Sequence, residues 1–307
     1  MPPCRILTFD GGGIRGVVTT VLIQRLTAEI PGWLASTNLF AGTSTGGLIA
    51  LGLASGKNIG VIRDLYEDKG GKIFDDSWID DVLDLGKTIG AEYDNTKLAR
   101  ELKKLFGDTT LGQLQAPVLI PSFDLDNEDA NANERTSKPK LFHNLPIPDA
   151  DGVERVRKVA LYTTAAPTYF PSVDGYVDGG VFANNPAMCA LAQSQDSRWN
   201  AHPALPDVVL LSLGTGVSLN YIAGRNLDWG YAQWAKPLIS IMMDGVMGVA
   251  DFQCKQLLGG RYERLAPVFP PGTSLPLDAV DRIDEMIRFA ANVDLAKTVG
   301  FLRQHWV

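Results

Sequence analysis

The chain contains little cysteine and little histidine, with three residues of each among 307. Cys4, Cys189 and Cys254 are widely separated and odd in number. That pattern excludes a disulfide framework and does not match the ligand spacing of a zinc site. Free thiols are typical of a reducing compartment, and the N-terminus lacks the charged and apolar regions of a secretory signal. We therefore expect a cytoplasmic protein, and nothing in the sequence implies a metal or an organic cofactor.

The sequence also lacks a cluster of basic residues and a long apolar run. Its formal net charge of −7 and its pI of about 5.0 argue against a nucleic-acid partner and against strong attraction to anionic membranes. No stretch of about 18 or more apolar residues marks a membrane span. A lipid partner would have to be reached from solution or through peripheral membrane contact. The hydrophobic content of 45% is that of a globular protein.

Ser44 is the central residue of Gly42-Thr43-Ser44-Thr45-Gly46, between an apolar run at 39–41 and small residues that predict a helix over 47–55. This G-x-S-x-G pattern is typical of a sharp turn from strand to helix, in which the flanking glycines let the serine hydroxyl protrude. A serine nucleophile needs a base. His143, His202 and His305 lie in no motif that pairs with Ser44, so we expect them to be non-catalytic.

Two further segments supply a candidate base and a candidate oxyanion site. Asp178 precedes two glycines in Tyr176-Val177-Asp178-Gly179-Gly180, and its carboxylate is a candidate base for Ser44. Gly11, Gly12 and Gly13 lie between a predicted strand over 5–9 and a predicted helix over 17–30. Their N–H groups are therefore candidate donors to an oxyanion, and Arg15 adds positive charge beside them.

Each of these motifs has a competing interpretation. Gly11-x-Gly13-x-x-Gly16 after a strand matches a dinucleotide-binding fingerprint. That fingerprint expects an acidic residue about 20 residues later, but the corresponding segment 33–40 holds none. An aspartate before two glycines is also typical of an ordinary turn, and G-x-S-x-G alone also occurs in turns without chemistry.

Taken in order, the motifs resemble those of the patatin-like phospholipases and lipid acyl hydrolases. The resemblance rests on Asp10-Gly11-Gly12-Gly13-Ile14-Arg15-Gly16, on the Ser44 segment and on Asp178-Gly179-Gly180, with support from 165–171, 184–186 and 212–216. It implies a serine–aspartate dyad that uses no histidine. Ser44 would be the nucleophile and Asp178 the base. The oxyanion hole would comprise Gly11, Gly12, Gly13 and Arg15, and the nucleophile elbow Gly42 and Gly46.

The same resemblance implies a serine hydrolase that cleaves acyl esters of lipids, as a phospholipase A, a lipid acyl hydrolase or an esterase. Two alternatives stay open. An acyltransferase would use the same acyl-enzyme with another alcohol in place of water. A non-catalytic module would bind a lipid or a nucleotide without turnover.

Strands that alternate with helices predict an α/β fold with a layered, mostly parallel central sheet flanked by helices. We expect one catalytic domain over 1–307, with the family motifs within 5–216 and a helical C-terminal part over 217–307. Ser44 and the glycine loop are expected at the carboxyl ends of their strands, where open α/β sheets bind ligands. The methionine-rich segment 239–247 is expected to be core, and 75–86 an ordinary surface helix.

Overall fold

The computed structural model describes residues 3–73, 91, 93–200, 202–219 and 221–306. Within them, one sheet has the strand order β4-β3-β2-β1-β6-β7, with β5 also paired to β3. The pairings β3-β2, β2-β1, β1-β6 and β6-β7 are parallel, whereas β4 and β5 run antiparallel to β3. The predicted mostly parallel α/β sheet is confirmed. The strands are β1 (Cys4–Phe9), β2 (Leu39–Gly42), β3 (Val118–Asp124), β4 (Lys138–His143), β5 (Tyr176–Asp178), β6 (Val208–Leu213) and β7 (Tyr262–Leu265).

Helices cover both faces of this sheet, because alternate strand residues point to opposite sides. On β1, Leu7 and Phe9 belong to one apolar cluster, and Ile6 belongs to a second on the other face. The helices are α1 (Gly16–Glu29), α2 (Thr45–Ala54), α3 (Ile59–Glu67), α4 (Gly70–Ile73), α5 (Asn95–Phe106), α6 (Val156–Thr164), α7 (Gly180–Ala183), α8 (Ala187–Ser194), α9 (Tyr231–Leu258), α10 (Ile283–Ala291) and α11 (Ala296–His305).

Helix α5 illustrates how local sequence sets an element. Leu98, Leu102 and Phe106 recur at helical spacing and are buried. The N-cap is Asp94, the residue just before the helix, whose carboxylate accepts the Thr96 N–H at 2.8 Å. The physical reason is that the acceptor side chain must belong to the last non-helical residue.

The C-terminal part contributes more than the expected helices. Strand β7 extends the sheet beyond β6, with Ser212 opposite Arg264. The prediction of a helical segment over 217–307 is therefore incomplete, because β7 is too short to stand out in a sequence dominated by helical patterns. The predicted surface helix over 75–86 lies outside the described residues.

Helix α9 carries an unexpected exposed apolar face. Leu238, Ile241, Met242, Val249 and Phe252 recur at helical spacing, and Phe252 is 63% exposed. The expectation that the methionine-rich segment is core is wrong for Met242, which is 49% exposed, because that residue faces away from the sheet side of the helix. No helix within the described residues is both long and apolar enough to cross a membrane.

Three loops meet at one edge of the sheet because β1, β2 and β6 run parallel. Phe9 lies opposite Gly42 on one side and opposite Leu213 on the other. The loops that follow these three residues therefore leave the sheet side by side. They contain the glycine loop, Ser44 and Thr215, as expected for the first two.

Candidate active site

Ser44 occupies the turn between β2 and α2 with φ 55° and ψ −124°. A positive φ is strained for a residue with a side chain and is typical of functional sites. The surroundings hold this conformation. The Ser44 N–H donates to Thr163 Oγ1 at 2.9 Å, and Thr163 Oγ1 in turn donates to the Pro121 carbonyl at 2.6 Å. Ser44 is 8% exposed, so it is buried where the loops that follow β1, β2 and β6 meet.

The two glycines beside Ser44 are required by close backbone approach. A Cβ on Gly42 would lie 2.0 Å from the Gly46 carbonyl oxygen, and a Cβ on Gly46 would lie 2.3 Å from the Phe9 carbonyl oxygen. Real Cβ atoms do not come this close to backbone atoms, so only glycine fits either position. The turn therefore has the sterics of a nucleophile elbow.

Asp178 is the last residue of β5, the strand that pairs with β3. Its backbone is fixed by pairing with Ser122 and by a hydrogen bond from its N–H to the Ala165 carbonyl at 2.9 Å. The Asp178 carboxylate accepts the Gly180 N–H at 2.7 Å. The Ser44 side chain lies close enough to this carboxylate to lower its pKa. The structure thus brings together the two residues that the sequence motifs pointed to.

Burial changes the acidity of Asp178. Its side chain is 3% exposed. Removal from water raises its pKa from 3.8 to about 7, although the Ser44 side chain and the hydrogen bond from the Gly180 N–H oppose that rise. A carboxylate with a pKa near the working pH is a stronger proton acceptor than an ordinary aspartate.

The glycine loop presents only some of its N–H groups. The Gly11 N–H donates to the Asn184 carbonyl at 2.9 Å and is therefore already engaged. Neither the Gly12 nor the Gly13 N–H donates to any group in the described part of the chain. The loop also lies close to the serine, because a Cβ on Gly11 would be 3.4 Å from Ser44 Cβ.

Arg15 supports the glycine loop by hydrogen bonding to the loop's backbone. The Arg15 Nε and the Arg15 backbone N–H both donate to the Gly12 carbonyl, at 3.3 and 3.2 Å. Burial lowers the pKa of Arg15, and the nearby carboxylates of Asp244 and Asp10 oppose that change. Arg15 therefore holds the second peptide of the loop and adds charge beside it.

Asp10, the first residue of the glycine-loop motif, forms a buried ion pair with Arg264 of β7. Arg264 donates to both carboxylate oxygens at 2.8 and 2.5 Å, and also to Ser212 Oγ at 2.7 Å. A bidentate arginine–carboxylate pair combines charge with fixed geometry. The pair ties the start of the glycine loop to the ends of β6 and β7. The sequence alone gave no signal for Arg264, since it lies in no recognised motif.

An apolar pocket opens beside Ser44 on the α2 side of the sheet. Gly13, Ser44 and Thr45 form its polar end. The rest of the wall comes from helices and from the 164–170 segment, with the apolar residues Ile14, Leu48, Leu65, Ile73, Leu98, Ala166, Phe170 and Leu277. A narrow apolar space that begins at a serine hydroxyl fits a hydrocarbon chain attached to a carbonyl group.

Comparison with known proteins shows the family of the chain. The model of the family described as Patatin-like phospholipase matches residues 7–191, which include Ser44 and Asp178. The chain is 30% identical over 291 residues to a cGAMP-activated phospholipase of Pseudomonas aeruginosa, covering 92% of this chain and 84% of the relative. It is 29% identical over 298 residues to Patatin-like protein 2 of Arabidopsis thaliana, covering 80% and 70% of the two chains. The crystal structure of VipD from Legionella pneumophila is similar over 94% of this chain and 67% of that chain, with a TM-score of 0.46 at 12% identity. Because the family model spans more than half of the sequence, the chain belongs to the patatin-like phospholipase family of lipid hydrolases.

Proposed function

We propose that this protein is a serine hydrolase that cleaves acyl ester bonds of lipids with a Ser44–Asp178 dyad. The observation that carries the proposal is the position of the Ser44 side chain beside the buried Asp178 carboxylate, whose pKa burial raises to about 7. The site needs no histidine because burial gives Asp178 a basicity close to that of an imidazole.

In the acylation step, Ser44 Oγ attacks the ester carbonyl while its proton passes to Asp178. The carbonyl oxygen acquires negative charge as the new C–O bond forms. The bond to the leaving alcohol then breaks, and the alcohol takes the proton from Asp178. Proximity favours this transfer, since the Ser44 hydroxyl lies near enough to the Asp178 carboxylate to influence its pKa.

The developing oxyanion is assigned to the N–H groups of Gly12 and Gly13. The Gly11 N–H is excluded from this role in the present conformation, because it donates to the Asn184 carbonyl. Gly13 lines the same pocket as Ser44, and a peptide N–H held in place costs no reorganisation during the reaction. Arg15 adds positive charge and fixes the Gly12 carbonyl.

In deacylation, Asp178 takes a proton from water as the water oxygen bonds to the acyl carbon. The bond between that carbon and Ser44 Oγ then breaks, the proton passes from Asp178 to Ser44 Oγ, and the carboxylic acid leaves. An alcohol in place of water would complete an acyl transfer. Hydrolysis and acyl transfer share every step up to the acyl-enzyme. Product that forms only when an alcohol is added would therefore indicate acyl transfer.

The apolar pocket beside Ser44 is proposed to hold the acyl chain. Its wall residues Leu48, Leu65 and Leu98 are contributed by three different helices. Burial of each methylene there is worth about 0.8 kcal/mol. Binding energy would therefore rise with chain length until the pocket is filled.

Peripheral membrane contact is proposed for the exposed apolar face of α9. The opposite side of this helix borders the site, because a Cβ on Gly180 would lie 3.2 Å from the Met243 methyl carbon. A neutral lipid surface fits this face better than an anionic one, since the chain carries a net charge of −7. An amphiphilic substrate would then leave the bilayer next to Ser44.

The proposal is tested by release of p-nitrophenol from acetyl, butyryl and octanoyl esters. Wild type, Ser44→Ala and Asp178→Asn are compared at equal folded concentration. We expect turnover in wild type and loss of at least about 10³-fold in each variant. Because the Pseudomonas relative is named for activation by cGAMP, each assay is repeated with cGAMP. Turnover that survives Ser44→Ala, or none in any arm, would contradict the dyad.

A further inference from the structure

Thr215 contacts the glycine loop at the peptide that joins Gly11 to Gly12. Its hydroxyl donates to the Gly11 carbonyl at 2.9 Å, and its side chain is 4% exposed. A Cβ on Gly12 would lie 2.2 Å from Thr215 Oγ1, so the two residues are in direct contact. Thr215 follows β6, whose last residue Leu213 accepts the Asp10 N–H at 3.0 Å. Parallel pairing of β1 and β6 thus sets Thr215 beside the loop.

A hydrogen bond to one end of a peptide fixes the direction of the other end. The peptide group is planar and trans, so the Gly11 carbonyl and the Gly12 N–H point in opposite directions. With its carbonyl held by Thr215, the peptide directs the Gly12 N–H away from Thr215. The Gly12 N–H has no acceptor among the described residues, so it is free to receive one.

Without such a tie, this peptide has an accessible alternative. Rotation of a peptide between two glycines meets little steric resistance, because neither residue has a Cβ. After rotation, the Gly11 carbonyl oxygen would take the place of the Gly12 N–H. A carbonyl oxygen at that place would repel a developing oxyanion instead of stabilising it.

We propose that Thr215 is a positioning residue that locks the Gly11–Gly12 peptide with the Gly12 N–H directed at the oxyanion. This inference rests on the proposed hydrolase function and adds a residue to it. Thr215 acts through the peptide and does not touch the substrate. Its effect therefore falls on the transition state, where the oxyanion exists, and leaves binding of the neutral ester unchanged.

The test compares Thr215→Val, which keeps the shape but loses the hydroxyl, with Thr215→Ser, which keeps the hydroxyl. The matched control is Thr20→Val, because the buried Thr20 hydroxyl also donates to a backbone carbonyl, that of Val17 at 2.8 Å, within α1. For each variant, kcat and KM for p-nitrophenyl butyrate, the Tm and the rate of labelling by a fluorophosphonate are measured. The labelling rate is informative because the phosphonyl oxygen uses the same donors as the oxyanion.

We expect Thr215→Val to lower kcat and the labelling rate by about 10- to 100-fold with KM within about twofold. Thr215→Ser restores most of the rate, and Thr20→Val changes the Tm but not kcat. Full kcat in folded Thr215→Val, or a loss equal to that in Thr20→Val, overturns the positioning role and leaves the dyad intact. Wild-type turnover that does not depend on Ser44 refutes both proposals.

Discussion

Replacement of Asp178 by asparagine is predicted to abolish activity and to stabilise the fold at the same time. Wild type must bury an ionised carboxylate at neutral and higher pH, because the Asp178 side chain is 3% exposed. Asparagine is neutral at every pH, and its side-chain oxygen still accepts the Gly180 N–H. The catalytic carboxylate is thus expected to be a source of instability, as strained or desolvated functional groups often are.

The magnitude follows from the pKa of Asp178, which is raised from 3.8 to about 7 by burial. A folded-state pKa above the unfolded-state pKa means that stability is highest at low pH and is lost as the pH rises between those values. Each pKa unit is worth about 1.36 kcal/mol, so the full loss is about 4 kcal/mol above pH 7. Of this, about 1 kcal/mol falls between about pH 6 and pH 8.

The assay is urea unfolding of wild type, Asp178→Asn and Ser44→Ala at both pH values. We expect the stability of Asp178→Asn relative to wild type to grow by about 1 kcal/mol from the lower to the higher pH. Ser44→Ala is the matched control, since it is also inactive but keeps the buried carboxylate. Its stability should fall with rising pH at least as steeply as that of wild type, because the Ser44 side chain opposes the rise in the pKa of Asp178. Equal pH dependence in wild type and Asp178→Asn would refute the raised pKa.

Three further predictions follow from the packing. Gly46→Ala is expected to prevent folding or to lower the free energy of unfolding by several kcal/mol. Gly245→Ala, which has open space around its Cβ position within α9, should stabilise the fold by up to about 1 kcal/mol. Thermal unfolding compares the two variants, and equal Tm values would contradict the steric requirement for glycine at position 46. Leu98→Phe in the apolar pocket is expected to lower kcat/KM for octanoyl esters about tenfold more than for acetyl esters. Leu102→Phe, buried on the same helix outside the pocket, should leave the ratio of kcat/KM for octanoyl to that for acetyl esters unchanged. Phe252→Ser on α9 should weaken binding to phosphatidylcholine vesicles about tenfold in a sedimentation assay, whereas Val153→Ser, at another exposed apolar residue, should not. Equal binding by the two variants would contradict membrane contact through α9.

Local patterns predicted much of this molecule. The apolar run of β6, the helical spacing in α5 and the glycine-flanked turn at Ser44 are each encoded by neighbouring residues, and the α/β class and the family are confirmed. The roles of Ser44, Asp178, Arg15 and the glycines remain predictions, although the structure gathers them at one edge of the sheet.

The remaining features depend on residues that are distant in sequence. Arg264 reaches Asp10 across 254 positions, and the short strand that carries it has no distinctive pattern. The engagement of the Gly11 N–H by Asn184 is likewise a tertiary contact, invisible in a glycine motif. Exposure of Met242 is another case, because an apolar helix looks the same in sequence whether its outer face is covered or not.

The most direct test of the dyad is to trap the acyl-enzyme analogue. The protein is labelled with a fluorophosphonate and digested, and the modified residue is located by tandem mass spectrometry. Asp178→Asn is labelled in parallel, with both proteins at about pH 8. The account predicts one adduct on Ser44 that forms in wild type and at least about 100-fold more slowly in Asp178→Asn. An adduct on another residue, or equal labelling of Ser44 in both proteins, would contradict it.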